Sequence, residues 1–126
     1  RVGSFYSNDE STISWLISPE INFNNQDGES LQFKTSTSFA DSSKLEVLFS
    51  DNWDGTENTI RLATWKSFPS AIIASNNDFF GDWIESGYVD FSCFNGKGHF
   101  AWRYTGSGAE DFDGTYELDE IIINSN

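Results

Sequence analysis

Five carboxylates lie between Glu110 and Asp119 in the run RYTGSGAEDFDGTYELDEIII: Glu110, Asp111, Asp113, Glu117 and Asp119. Such a cluster has three readings: a catalytic acid pair, a cation site, or a solvated turn. A glycosidase pair needs one carboxyl of raised pKa in an apolar pocket and a partner at about 5 to 9.5 Å. These acids sit mostly in turn sequence, which disfavours that reading. Calcium takes oxygens from carboxylates and carbonyls at turns, and Asp111 and Asp113 precede Gly114, where the chain can bend. The later ligands of an EF-hand are missing. Asp119 falls between Leu118 and the Ile121–Ile123 run. An acid there needs a cation, a base or backbone donors. Asp111, Asp113 and Asp119 are therefore the candidate calcium ligands, with a solvated turn as the alternative for the first two.

Other chemistry is poorly supplied. The single His99 and single Cys93 offer too few soft ligands for zinc. No GxSxG elbow accompanies them, and Cys93 in FSCFN reads as a small buried apolar residue. Flat rings are the better signal. Trp53 lies in the turn sequence SDNWDGTEN, and Phe79, Phe80 and Trp83 lie in the polar stretch SNNDFFGDW. Rings in loops either stack on the apolar faces of sugars or plug the end of a fold. Trp15, Trp65 and Trp102 lie in or beside strand-like runs, where core packing is expected. Arg103, next to Trp102, is a candidate for bidentate hydrogen bonds to a ligand, or else for pairing with an acid on a sheet face.

These groups need a scaffold, and the composition bounds it. The chain has 126 residues, room for one domain. Its 17% aromatics (12 Phe, 5 Trp and 4 Tyr) against 37% hydrophobic residues imply a core built from rings. Twenty acids against seven bases give a formal charge of −13. That disfavours nucleic acid as a partner and anionic membrane surfaces. No run is long and apolar enough to span a membrane, and Arg1 opens on polar sequence with no signal-peptide pattern.

Asp27-Gly28, Asp54-Gly55, Asn95-Gly96 and Asp113-Gly114 punctuate the chain as turns. Between them ISWLIS, SLQFKTST, KLEVLFS, TIRLATW, SGYVDFS, HFAWRYT and TYELDEIII read as strands. FPSAIIAS is the one helical turn expected. Short strands at regular spacing predict an all-β antiparallel sandwich.

Three stretches then resemble one family. ISWLISPEINF resembles the opening WLISPxIdL of the bacterial choice-of-anchor J and cleaved-adhesin domains. SGYVDFSCFNGKGHFAWRYTGSG resembles their SGxIdLSxYxGxxVxIAFrYtGs, and GTYELDEIII their closing GTYxIDnIxI. KLEVLFSDNWDG and ATWKSF fit the middle of the pattern. The likeness implies a jelly-roll β-sandwich, secreted or on the cell surface, similar to carbohydrate-binding modules. Such domains are appended to polysaccharide-degrading enzymes, proteases, nucleases and adhesins. It implies a structural calcium at the closing-strand acid, here Asp119. It also assigns Trp15, Trp65 and Trp102 to packing. Trp53, Phe79, Phe80, Trp83 and Arg103 remain as candidate ligand contacts. The family carries a longer opening, with an aromatic-rich first strand, than the Arg1 to Ser14 found here. That leaves a sheet edge expected to be unpaired.

The expectation is one non-catalytic jelly-roll module over residues 1–126. It binds a polysaccharide or oligosaccharide beside a parent enzyme's catalytic domain, contacts no nucleic acid and inserts in no membrane. The alternative is a calcium-stabilised adhesive or protein-interaction domain with no sugar site.

Overall fold

A computed structural model of the chain describes residues 1–24, 28–39 and 42–124. Asp27 of the first expected turn lies outside them. The strands are β1 (Val2–Gly3), β2 (Thr12–Ile17), β3 (Ile21–Asn22), β4 (Ser30–Ser38), β5 (Lys44–Ser50), β6 (Lys66–Ser67), β7 (Ile84–Glu85), β8 (Val89–Asp90), β9 (Lys97–Gly106) and β10 (Thr115–Asn124). Six of the seven expected runs give β2, β4, β5, β8, β9 and β10, and the short β1, β3, β6 and β7 fall outside the expected runs. All pairings are antiparallel. One sheet has the order β1-β10-β4-β7, with β8 also on β4. The other has β2-β9-β5-β6, with β3 also on β9.

The two sheets pack face to face as a β-sandwich, and the core is made of rings. Leu31, Phe33 and Thr35 of β4 are buried, as are Leu45, Val47 and Phe49 of β5 and Phe100, Trp102 and Tyr104 of β9. These are the residues that period-2 alternation assigns to one face. Phe33 meets Trp102 edge-on across the layers, with ring centroids 5.5 Å apart. At one end Phe23, Phe49, Phe91 and Phe100 pack against one another. Gly98 is required there, because a Cβ at this position would collide with the Phe49 ring and the Ser50 carbonyl.

Polar groups close the other end. The Tyr104 hydroxyl donates to the Gly114 carbonyl at 2.8 Å and lies 2.9 Å from Ser4 Oγ, both contacts buried. Ser4 Oγ in turn donates to the Ser107 carbonyl at 2.6 Å. This ties β9 to the turn before β10 and to the first residues of the chain. Tyr104→Phe keeps the ring and loses the bond to the Gly114 carbonyl. The expected cost is about 1–2 kcal/mol, read as a lower urea midpoint with unchanged slope.

Three local expectations are corrected. The run from Thr59 to Trp65 is not a strand: Glu57–Thr59 forms a 3₁₀ turn and Leu62 is exposed. The Asp54 carboxylate accepts bonds from the Thr56 and Thr59 hydroxyls and the Thr56 amide. Side-chain bonds of this kind compete with the sheet ladder. FPSAIIAS forms no helix: Ala71 N–H donates to the Phe68 carbonyl in a turn, and Ile72 N–H then bonds the Ser86 carbonyl, with no regular structure over residues 72–75. Cys93 is exposed rather than buried, because the turn before Asn95 and Gly96 carries it outward while Phe94 packs on the core.

Candidate functional site

The outer face of the β2-β9-β5-β6 sheet carries the site. Register places Trp15 beside Arg103 and Arg103 beside Glu46, one row across three strands. The Arg103 guanidinium lies 5.3 Å from the centre of the Trp15 ring and donates to Glu46 Oε1 at 3.0 Å. Of the two readings for Arg103, pairing with an acid on a sheet face is the one found. The stacking on Trp15 orients its fork further.

Trp65 directly precedes β6 and reaches over the same face. Its ring centroid is 5.1 Å from that of Trp15 and 6.1 Å from that of Trp53, at interplanar angles of 46° and 43°. Trp53 continues to His99, edge-on at 4.7 Å. Trp15, Trp65, Trp53 and His99 thus form one continuous row. Leu48 and Ala101 alternate outward on the same sheet face. Both are buried, although neither belongs to the inter-sheet core.

Two of these rings are held by their own loops. Trp65 Nε1 donates to the Ile60 carbonyl at 2.8 Å, and Trp53 Nε1 donates to the Thr56 carbonyl at 2.9 Å. Their only polar atoms are satisfied internally. The imidazole is fixed too, with Nδ1 3.0 Å from the Ser18 carbonyl. A row fixed before a ligand arrives loses little entropy on binding.

The Trp53 loop depends on a carboxylate. The Thr56 hydroxyl, then the Thr59 hydroxyl and the Thr56 amide, hold the Asp54 carboxyl below the usual aspartate range. A folded-state value below the unfolded one adds stability that is present at neutral pH and lost as pH falls through the folded value. The loop is therefore expected to keep its structure down to about pH 4 and to loosen below it. The Trp53 indole N–H resonance should report this in an NMR pH titration, and Asp54→Ala should reproduce the loosened spectrum at neutral pH. A transition well above pH 4 would show that another group governs the loop.

The other expected contacts lie elsewhere. Phe79, Phe80 and Trp83 are exposed at 79%, 58% and 45%, and no ring contact joins them to Trp53. Phe80 instead meets Phe39, edge-on at 5.3 Å. The expected ligand set is thus split: Trp53 and Arg103 belong to the tryptophan row, and the three loop rings do not. Trp15 and Trp65 were assigned to packing, yet they are half-buried on an outer face. In β2 alternation points the wrong way, because Ile13, Trp15 and Ile17 make the more apolar face and yet that face is the outer one, paired with Arg103 rather than Trp102. Trp65 lies before β6, outside any strand.

The acids also separate. Asp119 is exposed and sits at a bulge in β10, where the pairing with β4 shifts before Ile122 and Glu120 takes a φ of 49°. Its Oδ1 accepts the Glu120 amide at 2.8 Å. Of the three partners expected for it, the structure supplies a backbone donor. Asp111 and Asp113 face a depression beside Glu110 and Glu117. Among the described residues no three His, Cys, Asp or Glu side chains converge as metal ligands.

Comparison with protein-family models, with curated proteins and with solved structures finds no match for this chain.

Proposed function

We propose that this chain is a non-catalytic glycan-binding module, of the choice-of-anchor J kind and jelly-roll in topology. It works at the cell surface or outside the cell, beside a catalytic domain that degrades polysaccharide. The observation that carries the reading is the row of Trp15, Trp65 and Trp53, set at 5.1 and 6.1 Å on an outer sheet face. Ring faces in such a row offer stacking surface to successive sugar units. The Arg103–Glu46 pair flanks them with polar groups at the surface.

The chain path supports the topology. β1, β4, β7 and β10 belong to one sheet and β2, β5, β6 and β9 to the other, so the connections pass repeatedly between layers, as winding around a jelly roll requires. The shallow relief of the row implies affinities from about micromolar to millimolar, which tethering to an enzyme turns into high local concentration. Two groups available for acid–base chemistry are already engaged on this face, His99 against Trp53 and Glu46 with Arg103, which favours binding over turnover.

Affinity electrophoresis through gels cast with a panel of plant, algal and fungal polysaccharides tests the reading. Retardation by at least one neutral polysaccharide is expected. Mobility unchanged across the panel sinks it.

A further inference from the structure

The second half of the expected ligand set has chemistry of its own. Phe80 and Phe39, with Phe5, line a depression of about 630 Å³. These rings are 58%, 77% and 62% exposed. Glu110, Asp111, Asp113 and Glu117 line the same depression, with Arg1 as its one base. None of these four carboxylates takes part in an ion pair among the described residues. Four like charges around one hollow repel one another, and a cation in the hollow relieves that repulsion. A neutral sugar leaves it in place, and an anion worsens it. The exposed rings add attraction for a cation with a flat, weakly hydrated head.

We propose that this depression docks an arginine-bearing segment of a partner protein, with the guanidinium on the Phe39 and Phe80 faces and its fork toward the carboxylates. Arginine fits better than lysine, because its planar head stacks on a ring and bonds a carboxylate at the same time. The net charge of −13 draws such a segment toward the chain. The site is separate from the tryptophan row and does not rest on the glycan reading.

A blocked peptide carrying three arginines, titrated by isothermal calorimetry, tests the proposal. Binding should weaken severalfold between about 0.01 M and about 0.15 M ionic strength. Phe39→Ala and Phe80→Ala should each weaken it by about threefold, and Glu110→Gln with Asp111→Asn by more. Asp51→Asn and Trp65→Ala should leave it unchanged. The two phenylalanines are exposed, so these variants keep the core, and an unchanged melting temperature verifies that. Equal affinity in wild type, Phe39→Ala and Phe80→Ala would reduce the effect to general charge attraction and overturn the proposal. So would displacement of the peptide by calcium or by a neutral oligosaccharide at comparable concentration, or loss of peptide binding in Trp65→Ala.

Discussion

On the proposed glycan-binding reading, Trp65→Ala is expected to abolish retardation on any polysaccharide that retards the parent chain. This is the largest functional effect expected from any single substitution. Trp65 is the middle of the row, in contact with Trp15 on one side and Trp53 on the other. Removing it leaves two isolated rings where there was a platform, and the stacking energy of the neighbours falls with it. Loss of two or more orders of magnitude in affinity corresponds to about 3 kcal/mol, reasonable for a central aromatic anchor. The same substitution removes a half-buried ring, with an expected stability loss of about 1–3 kcal/mol. Retardation must therefore be measured well below the melting temperature, with far-UV circular dichroism confirming the fold. Trp53→Ala should weaken binding less, because Trp53 is next to the end of the row. Trp83→Ala should leave it unchanged, because Trp83 makes no ring contact with the row. Full retardation by Trp65→Ala would remove the row from the function, and loss in Trp83→Ala alone would move the site to the loop.

Alternation is informative where a strand has one buried face. Phe100, Trp102 and Tyr104 in β9 and Leu45, Val47 and Phe49 in β5 are core residues because each strand shows clear period-2 patterning. It failed where side chains override the local pattern. Thr59 to Trp65 alternates like a strand, but Asp54 gathers Thr56 and Thr59 into a turn. The site was half legible for a related reason. Trp53 and Arg103 were identified from their own neighbourhoods. Their assembly with Trp15, Trp65 and His99 depends on the register of β2 on β9 and of β9 on β5, which no single stretch encodes. The closing-strand acid shows the opposite case. Asp119 was expected to need a partner because its neighbours are apolar. Alternation with Tyr116 and Leu118, which face the core, already places Asp119 on the outer face, and the bulge after it supplies the Glu120 amide. A bulge is an extra residue in one strand, and nothing in LDEIII marks where it falls.

Phe100→Ala is expected to cost about 3–5 kcal/mol, the largest stability loss of any single truncation. Phe100 has no exposed surface. Its ring meets Phe91 at 4.3 Å, Phe49 at 5.2 Å and Phe23 at 6.1 Å. The cavity cannot collapse easily. Phe49 is confined by Gly98 on one side, where the space is already filled, and by Phe94 at 4.8 Å on another. A hollow whose walls are rings held by other rings keeps most of its volume, and the penalty rises with that volume. Against a total stability of about 5–15 kcal/mol, the loss should lower the melting temperature by about 10–20 °C. Phe79→Ala is the control. It removes the same atoms from a residue that is 79% exposed, and its effect should stay within about 0.5 kcal/mol. Urea unfolding of both variants gives the comparison directly. Similar midpoints for the two would mean that the ring cluster around Phe100 does not hold this end of the sandwich together. A wide separation would place the stability of the sandwich in the inner rings and leave the exposed ones free for binding.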